Sequence, residues 1–215
     1  MYLSSLSLDL SNPSARQALR NGQDMHRNIM RAFPQAEGAA RLSSGVLYRI
    51  EQESAYSSKY TQLRLLVMSS DIPNWEVISP LGFVSNSDPK DISALRHSFE
   101  VGRLLHFELV AIPSKKMNSG SRNSRRRMLR SPEEREAWLR RKGEQNGFSI
   151  GWVTEVNQVE VVGKHSRGQE GDFHLRGTRF QGALRIENQE QFTSGFFRGI
   201  GSGKAYGFGL LTLSR

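Results

Sequence analysis

Near its C-terminal end the chain runs Gly199-Ile200-Gly201-Ser202-Gly203-Lys204-Ala205-Tyr206-Gly207-Phe208-Gly209-Leu210-Leu211. Glycines at alternate positions admit positive φ and let backbone lie close to another segment or a ligand. A helix signal precedes this run. Asn188 with Gln191 reads as a capping box for a helix over 189–198, with Phe192 and Phe196 as its buried stripe and Gly199 as its stop. A strand-like stretch follows, through Leu213. Nucleotide-cradling loops run in the opposite order: strand, loop, helix. Their spacing also fails here. A Walker A loop needs Gly where Arg198 stands and Ser or Thr where Ala205 stands; the dinucleotide fingerprint needs a third Gly at Lys204 or Tyr206. Two readings stay open. The run is a tight connection packing a helix against a sheet, or it also binds phosphates through exposed N–H groups and Lys204.

The preceding residues set this run in a pattern. Residues 101–112 read as a long strand, centred on Leu104 to Val110. Ser131 as N-cap, Pro132 at the first helical position and Glu133-Glu134 in the first turn predict a helix, with Gly143 as its expected end. Strands are predicted over 148–162 and 172–187, joined as a hairpin by residues 163–171. Phe173 and Leu175 share one phase, and Phe180, Leu184 and Ile186 the other, so a bulge is expected near Gly177. The order β, loop, α, β, β, α, glycine loop, β is ferredoxin-like. The first half is compatible with the same order. A strand over 2–10 is broken by Asn12-Pro13-Ser14, followed by a short helix over 14–20 and an Asn21-Gly22 turn. A second helix begins near Asp24, with Met25, Ile29, Ala32 and Phe33 on its core face, and ends at Pro34. Strands follow at 45–52 and 60–69, then turns at Pro73, Pro80 and Asp88-Pro89 and a short helix over 91–96.

The chain of 215 residues carries a formal charge of +9, which favours an anionic partner. Eleven Lys and Arg against four Glu fall between Ser114 and Gln145. The first half of that segment, rich in Ser, Gly, Asn and Arg, reads as a mobile loop. No cysteine is present, which excludes disulfides and thiolate metal sites and fits a reducing compartment. No apolar run approaches ~20 residues and the start lacks a secretory pattern, so a soluble, cytoplasmic protein without a membrane partner is expected. None of the five histidines, His26, His97, His106, His165 and His174, forms a metal-ligand spacing; no metal or other cofactor is expected. His26 lies just off the apolar stripe of its helix, with Arg27 and Arg31 one turn apart. Spacing alone reads it as an exposed histidine beside two solvated arginines. His106 reads as a structural histidine in a strand, and His97 has no nameable partner.

Several segments resemble one family. The motif Gly-Ile-Gly-x-Gly-Lys-Ala-Tyr-Gly-x-Gly-Leu-Leu resembles the glycine-rich signature of CasE (Cse3) type CRISPR RNA-processing endoribonucleases, RAMP-superfamily subunits of the Cascade surveillance complex. Met1-Tyr2-Leu3-Ser4, Asp24-Met25-His26-Arg27, Phe107 to Pro113 and Phe180 to Leu184 resemble the family in the same order. The resemblance implies an α+β chain of two tandem ferredoxin-like (βαββαβ) domains, assigned to residues 1–98 and 99–215. It implies metal-independent cleavage of CRISPR repeat RNA at the base of its hairpin, with the product retained and other Cascade subunits as partners. His26 falls on the family's catalytic histidine, as general acid or base. Gln23 departs from the family, which often has tyrosine there, and Phe208 stands where a small residue or Cys is common.

Such chemistry needs little from a protein, because RNA carries its own nucleophile, the 2′-OH. Histidine suits either proton transfer, its pKa lying near neutrality. Expected RNA contacts are Gln23, Arg27 and Arg31 near His26, and Lys115, Lys116, Arg125, Arg126 and Arg127 in the basic segment. Lys164 and Arg167 at the hairpin tip, and Gly199, Gly201, Gly203 and Lys204 in the glycine loop, complete the set. Two rivals remain: a non-catalytic subunit that only caps the RNA hairpin, kept open by Gln23, and a nucleotide-binding regulator, disfavoured by the failed loop spacings.

Overall fold

In the first strand, β1 (Tyr2–Leu8), alternate residues Ser4, Leu6 and Leu8 are buried, as a half-covered strand requires. The computed structural model describes residues 1–33, 45–53, 62–116, 126–164 and 172–214. The chain divides into two units. The first takes Met1–Leu95, Glu160–Leu175 and Lys204–Gly207; the second takes Arg96–Val159, Arg176–Gly203 and Phe208–Arg215.

In the first unit β1 is followed by helices α1 (Pro13–Arg20) and α2 (Gly22–Arg31), then strands β2 (Leu47–Glu53) and β3 (Gln62–Ser69). β4 (Phe83–Ser85) and the two-residue β5 (Lys90–Asp91) both pair with β1. The sheet order is β2-β3-β1-β4, with Leu6 opposite Leu65 in the antiparallel β1–β3 pair. This is the ferredoxin-like order. Asn12 caps α1 by accepting from the Ser14 amide at 2.9 Å, with Pro13 at the first position. The second crossover helix of the fold is reduced to two 3₁₀ turns, Trp75–Val77 and Ser79–Leu81. Trp75 and Ile78 still reach the core, where Trp75 meets Phe33 edge-on at 5.8 Å. The expected short helix over 91–96 is likewise a 3₁₀ segment, Ser93–Ser98.

The second unit holds β6 (Leu104–Ala111), the short β7 (Ser114–Lys116) and β8 (Arg126–Met128), helix α3 (Pro132–Gln145), long strands β9 (Phe148–Lys164) and β10 (Asp172–Ile186), helix α4 (Gln189–Arg198) and β11 (Leu211–Ser214). The far ends of β9 and β10 belong to the first unit. The sheet order β11-β6-β10-β9 is again ferredoxin-like. The expected caps form: Ser131 Oγ accepts from the Glu134 amide at 3.2 Å, and Asn188 Oδ1 from the Gln191 amide at 2.9 Å. Arg135 holds α3 to β9 through a bidentate pair with Glu155 at 2.8 and 2.6 Å.

Two local expectations are corrected. Gly143 does not end α3, which continues to Gln145. Glycine is needed there for packing, because an added Cβ would lie 2.6 Å from the Phe148 carbonyl oxygen. The basic segment is also not loop from its start: β7 and β8 pair as an antiparallel ribbon. Along β10 the buried phase shifts between Leu175 and Thr178, where the phase slip was read.

An ion cluster in the first sheet is buried at its Arg49 end and open at Arg64. Arg49, 3 % exposed, bonds Glu51 at 2.5 Å, and Arg64 bonds the second carboxylate oxygen at 2.6 Å. Burial alone would raise the Glu51 pKa, but the two guanidinium groups outweigh it and hold the carboxyl below its ordinary 4.5. Removing Glu51 leaves Arg49 buried without its carboxylate, so Glu51→Gln should destabilise the protein by about 3 kcal/mol. A depressed folded-state pKa contributes stability above the unfolded value that is lost as pH falls through the folded one. Denaturant titrations should therefore show the full difference from wild type above about pH 5, shrinking as the pH drops below 4.5.

Candidate functional site

Asn21 is both the end of α1 and the start of α2. Its Oδ1 accepts from the Gln23 amide at 3.1 Å, and its Nδ2 donates to Asp24 at 2.9 Å. Met25 and Ile29 turn into the core, which sets the opposite rotation for the polar face. Gln23 and His26, three apart, share that face. His26 is half-buried, and its Nδ1 is out of solvent. Arg27 is exposed and paired with Asp24 at 2.7 Å; Arg31, the last residue of α2, is exposed.

The first unit also contains Lys204–Gly207, a 3₁₀ turn that packs on α2 and β2. The Tyr48 hydroxyl donates to the Ala205 carbonyl at 2.9 Å. Gly207, at φ +84°, passes the Tyr48 ring so closely that an added Cβ would sit 3.2 Å from it. The Tyr206 hydroxyl donates to Gln23 Oε1 at 3.2 Å, and its ring packs on Phe173 with centroids 4.7 Å apart. Gly22 makes room at the first turn of α2: an added Cβ would lie 2.6 Å from Val161 and 3.3 Å from the Tyr206 ring. Sequence reasoning selected His26, Gln23 and Lys204, and the structure brings the segments that carry them into one unit. It missed Tyr206, Tyr48 and Phe173 as the groups that hold the site. Tyr206 stood inside the quoted motif, but no spacing signals a partner 183 residues away.

The other predicted positions divide between the units, with Lys164 in the first and the basic ribbon in the second. Gly199, Gly201 and Gly203 lie in the second unit, with φ of +80°, +88° and +80°. Gly199 ends α4, its N–H donating to Gly195 at 2.9 Å. The Ile200 amide donates to Gly209, whose own amide donates to Val110 on β6 at 2.7 Å. These bonds account for the run as a connection. Lys115 lies opposite Arg127, and Lys116 opposite Arg126, across the β7–β8 ribbon. Lys115 is exposed, and Arg127 pairs with Glu134 at 3.1 Å. Lys164 ends β9. Arg125 and Arg167 lie outside the described residues. His106, expected as structural, is exposed and meets the edge of Trp152 at 6.1 Å. Among the described residues no group of three or more His, Asp or Glu is placed to hold a metal ion, and no helix is long and apolar enough to cross a membrane.

A family model described as CRISPR associated protein matches residues 1–215. The chain belongs to that family. It is 29% identical over 225 residues, covering all of both chains, to the CRISPR-associated endoribonuclease Cse3 of Thermus thermophilus. Among solved structures it is similar to a Cse3 endoribonuclease bound to a 19-nucleotide RNA, with TM-score 0.85 and 26% identity over all of both chains. It also resembles Thermus thermophilus Cse3 bound to an RNA representing a pre-cleavage complex, with TM-score 0.79 and 25% identity over all of this chain and 98% of that one. The CasE-type assignment and the ferredoxin-like fold drawn from the sequence therefore hold.

The glycine geometry makes its own prediction. Gly203 combines φ +80° with a Cβ position 2.6 Å from Ile112 Cδ1. Gly203→Ala should destabilise the fold by about 2 kcal/mol, as strain and overpacking together. A thermal melt checks this without any ligand.

Proposed function

We propose that this protein is an endoribonuclease that binds CRISPR repeat hairpins and cleaves precursor CRISPR RNA on the 3′ side of the stem. It stays bound to the product as a subunit of a Cascade-type complex in the cytoplasm. The observation that carries this reading is the full-length likeness to an RNA-cleaving relative, together with a half-buried His26 on the polar face of α2.

The reaction needs no metal. The 2′-oxygen attacks the adjacent phosphorus as its proton leaves to a base. The bond from phosphorus to the 5′-oxygen breaks as that oxygen takes a proton. The products are a 2′,3′-cyclic phosphate and a 5′-hydroxyl. His26 carries one of the two protons, which is worth roughly 10²–10⁴-fold. Gln23 supplies polar contact beside it, and Arg27 and Arg31 offer positive charge on the same helix. Lys115, Lys116, Arg125, Arg126 and Arg127, with Lys164, Arg167 and Lys204, contact stem phosphates, reading A-form shape and charge rather than sequence. Gly201 and Gly203 offer backbone N–H groups to the RNA, whereas the Gly199 N–H is taken by the Gly195 carbonyl and serves to end α4.

Single-turnover cleavage of a repeat hairpin in EDTA tests this. Wild type should cut, and His26→Ala should lose about 10²–10⁴-fold in rate while retaining affinity. A substrate with 2′-deoxy at the scissile nucleotide should resist; its cleavage would sink the mechanism. Tight binding by wild type with no product at all would instead establish the hairpin-capping subunit. Lys115→Ala should weaken binding about equally for all hairpins and lower the salt slope of the association constant by about 1. An unchanged slope would remove Lys115 from the interface.

A further inference from the structure

A glutamine carboxamide has two unlike ends: an oxygen that accepts, and an NH₂ group that donates two hydrogen bonds. At Gln23 the oxygen end is taken by the Tyr206 hydroxyl, donating at 3.2 Å. That hydroxyl is itself held firmly. Its ring lies against Phe173 at 4.7 Å, and its turn is tied to β2 by the Tyr48–Ala205 bond and closed by the Gly207 amide on the Lys204 carbonyl. The absence of a side chain at Gly22 lets the ring reach the first turn of α2. An amide whose oxygen is fixed has a fixed orientation, and it sits three residues before His26 on one helix face.

We propose that Tyr206 is a positioning residue of the His26 site. By occupying Gln23 Oε1, it leaves the Nε2 donors to a non-bridging oxygen of the scissile phosphate. This rests on the reading of the site as RNA-cleaving. The phosphate oxygens gain negative charge as the 2′-oxygen attacks, and a preoriented neutral donor stabilises that charge without reorganising. No bond to Gln23 or Tyr206 forms or breaks, and proton transfer stays with His26. Gln23 thus takes a defined role as a hydrogen-bond donor, one that a carboxamide can perform and that needs a second residue to fix which end faces the RNA.

Four variants test this in single-turnover cleavage at saturating enzyme, beside wild type and His26→Ala. Gln23→Ala should slow cleavage about 10²-fold, the effect of removing one oxyanion donor. Tyr206→Phe keeps the ring on Phe173 but frees the amide, and should slow it about tenfold. The double variant should match Gln23→Ala within about twofold, because Tyr206 acts through Gln23. Gln23→Glu retains an oxygen for the Tyr206 hydroxyl but has no N–H, so it should be as slow as Gln23→Ala. Wild-type rates in Tyr206→Phe or Gln23→Glu, or additive losses in the double variant, would overturn the proposal alone, provided wild type cuts and His26→Ala does not. A wild type that does not cut would overturn both this and the reading beneath it.

Discussion

The hydrogen bond from the Tyr48 hydroxyl to the Ala205 carbonyl holds together everything proposed for the site in the first unit. Tyr48 is 2 % exposed, and a buried phenol must find an acceptor. Burial first, and the neighbouring Tyr206 second, push its pKa far above the ordinary tyrosine value, so it stays a neutral donor. The acceptor is the backbone of a segment 157 residues away. With that bond, the turn after the glycine run is tied to β2, and Tyr206, packed on Phe173, reaches the start of α2. Gly207 and Gly22 permit the approach by having no Cβ to obstruct it.

Charge is distributed less freely than its count suggests. Several basic residues of the 114–145 segment are already matched: Arg127 by Glu134, Arg135 by Glu155 and Arg140 by Glu136. Arg135 in particular joins α3 to β9 and is only 13 % exposed, so it belongs to the fold. On the β7–β8 ribbon the exposed Lys115 lies opposite Arg127, whose charge Glu134 already matches. The net charge of the segment therefore overstates what it offers to an anionic partner.

Much of the architecture was legible in the sequence. Caps, strand alternation and core stripes are local: Ser131, Asn188 and Asn12 each bond an amide two or three residues away. The strand and helix order that follows from them matches the second unit apart from the β7–β8 ribbon, and the first unit as far as β3; the short strands β4 and β5 lie where only turns were expected. Local reasoning failed where packing overrode it. Residue 143 is glycine to make room for a strand carbonyl, not to stop the helix, and the crossover between β3 and β4, interrupted by Pro80 and Gly82, winds only into 3₁₀ turns. The paired strands within the basic segment escaped notice because Arg and Lys runs carry no strand alternation to read.

By itself the sequence determined the fold class, the family and the basic character, and through the family resemblance it put His26 forward as a candidate, because each is written in neighbouring residues or in a contiguous motif. Tertiary structure alone decided what holds Gln23, which unit takes the Lys204–Gly207 turn, and that Glu51 joins the buried Arg49 to the more exposed Arg64. Those outcomes depend on which side chains meet after the sheets close. Contacts between residues 183 or 157 positions apart are selected by packing and by the need to satisfy buried polar groups, for which no spacing along the chain gives a signal.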